Sequence, residues 1–157
     1  MSESNLGSTK LAQVAIVVRD IEASSKRYAE ILGLPVPQVI VTAPGLEVNQ
    51  TYKGQPSGAQ AKLAFFDLGQ VELELIEPMG GDSTWQEVLD RKGESVHHIA
   101  FWVDGMQTSV DFLKAHGIPM IQRGDMGEGQ YAYFDAEQPL GLTLELLEAK
   151  RHSRAVG

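Results

Sequence analysis

Apolar and polar residues alternate along this chain in short runs, and each run is closed by a turn or helix-capping residue. Residues 11–18 alternate as a half-buried strand does. Asp20 is a plausible N-cap, and Ile21, Tyr28, Ile31 and Leu32 form a helical stripe that stops at Gly33. Residues 36–42 predict a further strand, crowded at its start by Pro35 and Pro37. The stretch 43–60, rich in Gly, Pro, Gln and Asn, reads as a loop. Residues 61–67 and 70–77 predict a hairpin around Leu68-Gly69. After Pro78-Met79-Gly80-Gly81 a short helix begins at Asp82 or Ser83 and ends near Gly93, with Ser83 and Gln86 spaced as a capping box. The order then recurs: a strand over 97–103, a helix over 105–116 ending at Gly117, and strands near 118–123, 129–135 and 141–148.

The recurrence extends to the residues themselves. FDLGQVELELIE (66–77) matches FDAEQPLGLTLELLE (134–148), the second copy carrying three extra residues, and QVAIVVRDIE (13–22) resembles HIAFWVDGMQ (98–107). Two phrases repeated in the same order mark an internal duplication. The chain therefore divides into a disordered lead (1–9), a first βαβββ module (10–78), a linker with a short helix (79–94), a second βαβββ module (95–149) and a tail (150–157). The expected class is α+β, with the modules pairing into one curved mixed sheet and the helices on its convex face.

Strand alternation sorts side chains onto faces. Val14, Ile16 and Val18 oppose Gln13, Ala15 and Val17; Ile99, Phe101 and Val103 oppose His98, Ala100 and Trp102. Val71, Leu73 and Leu75 oppose Glu72, Glu74 and Ile76, and Leu142, Leu144 and Leu146 oppose Thr143, Glu145 and Leu147. One set in each strand is fully apolar. The other carries a polar residue at a position matched between the halves, Gln13 with His98 and Glu74 with Glu145. Alternation also sends His97 to the face opposite His98. In one curved sheet the four matched residues converge on the concave face. An imidazole, an amide oxygen and two carboxylates form a ligand set for a divalent ion such as zinc, nickel, cobalt or manganese. Two carboxylates would balance its charge, and an octahedral shell would keep two positions open for substrate oxygens or water.

Composition narrows the class. A chain of 157 residues with 43% hydrophobic and 22% charged content folds around its own core. The formal net charge of −8 argues against nucleic acid as a partner. No apolar run reaches the roughly 18–20 residues of a membrane helix, and MSESNLGSTK lacks the pattern of a secretory signal. The absence of cysteine excludes disulfides and thiolate ligands and fits a cytoplasmic location.

The duplicated βαβββ order, with LELIEP (73–78), RKGESVHHIAFWVD (91–104) and GLTLELLE (141–148), resembles the vicinal oxygen chelate superfamily of glyoxalases, bleomycin-resistance proteins and dioxygenases. Within it these phrases are most similar to methylmalonyl-CoA epimerase. The resemblance covers about residues 10–149 and implies metal ligands at Gln13, Glu74, His98 and Glu145. It departs at Gln13, where epimerases usually carry His, and at Glu74, where they often carry Gln; the resulting set is similar to that of lactoylglutathione lyase (glyoxalase I). The strand AKLAFF (61–66) lacks the second carboxylate base that some epimerases place there.

The resemblance implies proton transfer next to a carbonyl, with Glu145 as base and Glu74 as the paired carboxylate. It also implies an acyl-CoA or a glutathione adduct as substrate, and a homodimer. A metal-free binding protein of the bleomycin-resistance type is the alternative, and an extradiol dioxygenase would need histidine where Gln13 and Glu74 stand. Glu72, Trp102, Tyr131 and Tyr133 are candidates for substrate contact, with Glu72 also a reserve base. Cations that could meet a CoA phosphate include Lys53, Lys62, Arg91, Lys92 and Arg123, though surface cations mostly serve solvation. GDMGEGQ (124–130) has no phosphate-loop spacing and reads as a hairpin, and His116 reads as a helix-terminal residue.

Overall fold

The computed structural model describes residues 5–150; the expectations for residues 1–4 and 151–157 lie outside them. Its elements run β1 (Leu11–Val17), α1 (Ile21–Leu32), β2 (Ile40–Val41), a 3-10 turn (Gly45–Val48), β3 (Thr51–Tyr52), β4 (Gln55–Pro56), β5 (Ala61–Asp67), β6 (Glu72–Pro78), α2 (Thr84–Lys92) and β7 (Ser95–Trp102). After these come α3 (Met106–Ala115), β8 (Met120–Met126), β9 (Gly129–Ala136), α4 (Glu137–Leu140) and β10 (Leu142–Glu148). One mixed sheet takes the order β2-β5-β6-β1-β7-β10-β9-β8-β3-β4. Strands β1 and β7 meet antiparallel at its centre. Strand β6 runs parallel to β1, and β10 parallel to β7, so the halves are related across that seam.

The repeated phrase has a structural consequence beyond its apolar residues. Glu77 closes the first copy and accepts the Ile21 backbone N–H at 2.9 Å, at the start of α1. Glu148 closes the second and accepts from Met106 at 2.6 Å and Gly105 at 3.2 Å, at the start of α3. Each carboxylate meets free N–H groups at the positive end of a helix. Asp20 adds an N-cap bond from Ala23, and Gly33 ends α1 in the left-handed conformation. Helices α1 and α3 pack on one side of the sheet, α1 over Leu73 and Leu75, α3 over Leu144 and Leu146. Helix α2 closes the other side, where Trp85, Val88 and Leu89 join Ala15, Val17, Ile76 and Tyr133.

Several expectations need correction. The inward face of α1 is Ile21, Ser25 and Ala29; Ile31 is 81% exposed, because its stripe ran one turn beyond the packed part of the helix. Only half of the capping box forms: Ser83 accepts from the Gln86 N–H, but the Gln86 side chain donates to Asp90. The strand expected over 36–42 shrinks to Ile40–Val41. The three extra residues of the second repeat fall in the segment that forms α4, which periodicity over so short a span did not show.

The segment 43–60 is the largest departure. It is a strap rather than an open loop. Ile40 and Val41 pair with β5, and Thr51 and Tyr52 pair with β8 at the far side of the sheet. A flat sheet would separate β2 from β3 by roughly 38 Å at the usual strand spacing. The chain between Val41 and Thr51, part of it in a 3-10 turn, reaches only about 28 Å. The sheet must therefore curl, and the strap spans its mouth. Gln50 fixes the strap by donating to Ser57 O at 3.3 Å and Ala59 O at 2.9 Å.

A Cβ on Gly45 would collide with Ser57 O and with the Gln50 amide. Gly45→Ala should cost about 1–3 kcal/mol and loosen the strap. Urea denaturation should show the loss, and limited proteolysis should show faster cutting within 42–60. Wild-type values in both would mean the strap is not clamped at this point.

Candidate active site

The seam between β1 and β7 sets the site. Ala15 pairs with His98, but the next partner of Ile16 is Val96, so His97 is an extra residue in a β-bulge. A matching shift falls at Ala12, since Leu11 pairs with Phe101 and Gln13 with Ala100. Each bulge immediately precedes one of the matched polar residues. The bulge overturns the expectation that His97 and His98 point to opposite faces. Both rings are buried, their centroids lie 5.1 Å apart, and their Nδ1 atoms are 2.8 Å apart.

Three of the four matched residues come together. His98 Nε2 lies 3.1 Å from Glu145 Oε1 and 3.4 Å from Glu74 Oε1. All three side chains are almost wholly buried. The fourth, Gln13, lines the same cavity, and its amide nitrogen donates to Glu72 Oε1 at 2.7 Å. Glu72 is thus drawn to Gln13 rather than into the inner cavity. That cavity, of about 320 Å³, has Glu74, Glu145 and Gln13 in its wall together with Leu63, Phe65, Trp85, Tyr131 and Tyr133. Thr42, Ala43, Val48 and Gln50 of the strap roof it. Trp102 stands apart, 45% exposed, in an adjoining groove with Lys10, Val71 and Glu72.

Trp85 was missed by sequence reasoning. Its indole N–H donates to the Tyr133 hydroxyl at 3.0 Å, and the two rings meet edge to face. Nothing in the sequence distinguishes an aromatic at the second position of a short capped helix from ordinary helix packing. The cations considered for a phosphate are largely engaged elsewhere. Lys62 pairs with Glu77, Arg91 with Glu87 and Glu137, Lys92 with Glu137, and Arg123 with Asp125, while Lys53 lies over the Tyr52 ring. His116 Nδ1 meets the Phe112 carbonyl at 2.9 Å, at the end of α3.

Burial and neighbouring charge shape the titration of the cluster. Burial pushes the Glu74 carboxyl above its usual range, against the pull of His98. Burial also pulls on His98, downward, but the Glu145 and Glu74 carboxylates outweigh it and raise the imidazole to about 9. His97 is held neutral by burial and by the adjacent His98. Burial raises Tyr133 well above its ordinary value, so its hydroxyl stays protonated.

The donor chemistry fits a divalent cation. Glu74 Oε1 and His98 Nε2 are buried polar atoms without hydrogen-bond partners, and Glu145 Oε1 lies beside the same nitrogen. A cation is the natural partner for such a set, and the Gln13 amide oxygen is a further donor on the same wall. The side chains are not preassembled into a cage: among the described residues no group of three or more His, Cys, Asp or Glu is already arranged to hold a metal ion.

A duplicated βαβββ sheet curled around a buried His and carboxylate cluster defines a class of protein. The chain belongs to the Glyoxalase/Bleomycin resistance protein/Dioxygenase superfamily, whose family model matches residues 12–134. Among its relatives, the uncharacterized protein YqjC of Bacillus subtilis is 29% identical over 145 residues, covering 90% of this chain and 93% of that protein. Human mitochondrial methylmalonyl-CoA epimerase is 31% identical over 133 residues, covering 74% of this chain and 66% of the epimerase. The chain thus spans about two thirds of the length of that enzyme. A Streptomyces coelicolor methylmalonyl-CoA epimerase variant, solved with 2-nitronate-propionyl-CoA, superposes with a TM-score of 0.63 at 23% identity, covering 89% of this chain and 94% of that one. Among the described residues no helix is long and apolar enough to cross a membrane.

A folded pKa raised above the unfolded value of about 6.5 adds stability that is complete below that pH. The contribution of His98 is then lost as pH rises through about 9. In chelator-treated protein, NMR should show the His98 ring titrating near 9. Glu145→Gln should bring that titration down by removing the larger attractive charge. A wild-type His98 that titrates below about 6.5 would contradict the pairing with the two carboxylates.

Proposed function

We propose that the chain is a divalent-cation-dependent enzyme that moves a proton on a carbon next to a carbonyl. An acyl-CoA thioester is the favoured substrate class, and the reaction favoured is epimerisation of the methylmalonyl-CoA type. The observation that carries this reading is the buried Glu74–His98–Glu145 cluster, whose two carboxylates stand in the wall of a largely apolar cavity. The likeness to methylmalonyl-CoA epimerases supports the thioester class. A glutathione adduct is the second substrate to assay, because the Gln13, Glu74, His98 and Glu145 set resembles that of lactoylglutathione lyase.

A proton beside a carbonyl is too weakly acidic to leave unaided at neutral pH. When bound by Gln13, Glu74, His98 and Glu145, a divalent cation would supply positive charge against the oxygen that becomes negative as the C–H bond breaks. Glu145 takes the proton, since its carboxylate borders the cavity. Glu74 is the paired carboxyl group that serves the opposite face of the substrate carbon, delivering a proton there in one direction and removing it in the other. Glu72 is occupied in orienting Gln13. Tyr133, held by Trp85, still has its own hydroxyl proton to donate to a substrate oxygen. The strap and the aromatic wall keep bulk water from the carbanion.

Glu145→Gln should slow exchange of the substrate α-proton with deuterium from solvent by about 100-fold or more, with thermal unfolding still cooperative. Mass spectrometry on methylmalonyl-CoA and on the methylglyoxal–glutathione adduct reads the exchange directly. Undiminished exchange in the variant would remove Glu145 as the base.

A further inference from the structure

We infer that His97 is a positioning residue for His98: with Thr84, it dictates which nitrogen of the His98 ring faces Glu74 and Glu145. This rests on reading the cluster as a cation site and adds a role that the ligand set itself does not contain. The bulge in β7 places the two rings on one side of the strand, Nδ1 against Nδ1 at 2.8 Å. Two ring nitrogens at that distance share one hydrogen, so one donates and the other accepts. His97 Nε2 lies 3.3 Å from Thr84 Oγ1. Thr84 is itself fixed, since it opens α2 behind the Ser83 cap and its backbone N–H donates to Gln122 Oε1 at 2.9 Å.

With both rings neutral, as cation binding at His98 requires, only two proton arrangements satisfy this row. In one, His98 donates from Nδ1 to His97 Nδ1, and His97 donates from Nε2 to the Thr84 hydroxyl oxygen. The lone pair of His98 Nε2 then points at the carboxylate oxygens and is open to a cation. In the other, His97 donates from Nδ1, His98 carries its proton on Nε2, and the cation donor is blocked. His97 supplies the acceptor that makes the first arrangement available, and Thr84 supplies the acceptor that completes it. A ligating histidine normally has its second nitrogen held in this way, and loss of such a partner typically weakens metal binding about 10- to 100-fold. The first half has a parallel, because Glu72 takes the amide N–H of Gln13 and leaves the amide oxygen as its remaining donor.

The test is zinc affinity, measured by competition with a chromophoric chelator, in wild type, His97→Leu, His97→Asn and Thr84→Val. Leucine keeps most of the bulk and removes the acceptor; asparagine places an amide oxygen near the lost Nδ1. His97→Leu and Thr84→Val should each weaken zinc binding, His97→Leu by about 10-fold or more, while His97→Asn restores most of the affinity. Nitrogen-15 NMR of the zinc-loaded wild type should show His98 protonated at Nδ1 and bare at Nε2. Three results would overturn the inference: wild-type affinity in His97→Leu, equal loss in His97→Asn and His97→Leu, or zinc held through Nδ1. Thr84→Val tests the same row without emptying the core position, should His97→Leu fail to fold. A wild type that takes up no zinc would instead overturn the cation reading itself, an outcome separable from any difference among variants.

Discussion

Everything in this protein is arranged around one antiparallel seam. Because β1 and β7 pair at the centre of the sheet, the two halves present the same positions to a common concave side. The paired bulges at Ala12 and His97 re-aim the chain just before Gln13 and His98. Without them, strict alternation would leave His97 facing away from His98, and the hydrogen-bonded row from Thr84 inward would not exist. The parallel partners then fix the carboxylates: β6 carries Glu74 beside β1, and β10 carries Glu145 beside β7. Backbone pairing thus determines the composition of the site before any side chain packs.

The duplication explains more than the site. In each half a strand ends in a glutamate that holds the first N–H of the preceding helix, Glu77 for α1 and Glu148 for α3. The phrase that recurs in the sequence therefore encodes two roles three residues apart. Glu74 or Glu145 faces the cavity, while the closing Glu77 or Glu148 clamps a helix to the end of its strand. Buried, unpaired carboxylates are costly. The clamps avoid that cost through backbone donors, whereas Glu74 and Glu145 share one imidazole. The asymmetry separates an inner pair, the candidates for chemistry, from an outer pair that holds helices.

Much of this was legible in the chain. Period-two alternation found the seven- and eight-residue strands, and Asp20, Gly33, Ser83 and Gly93 marked helix ends by cap chemistry. The repeat alone selected Gln13, Glu74, His98 and Glu145, three of which the fold brings into contact and the fourth of which lines their cavity. What could not be read depends on long-range partners. The strap is held by pairing with β5 and β8, strands far apart in the sheet, and its own two-residue strands are too short to carry periodicity. The His97 bulge is a register shift, visible only against β1. Trp85 lines the cavity and Trp102 does not, for a similar reason. Helix α2 folds its tryptophan over the cavity, while β7 has reached the sheet rim by Trp102.

Charge balance ties the site to its proposed chemistry. Among the described residues the cavity wall includes the carboxylates of Glu74, Glu145 and Asp125, the last of them paired with Arg123, and no Lys or Arg. An acyl thioester that becomes an enolate adds negative charge to surroundings already rich in it. The proposed reaction would therefore need positive charge, and among the described residues the cationic group within the cluster is His98, protonated up to about pH 9 by its two acids. That proton occupies the same nitrogen through which a divalent ion would be held. Proton and cation are thus alternatives for one lone pair, and a divalent cation held there would supply the larger charge. Under the proposed function the two buried acids have a use that sequestration of a ligand would not require. The same acids are intelligible if one of them must accept a proton from carbon while a positive centre beside it holds the charge left behind.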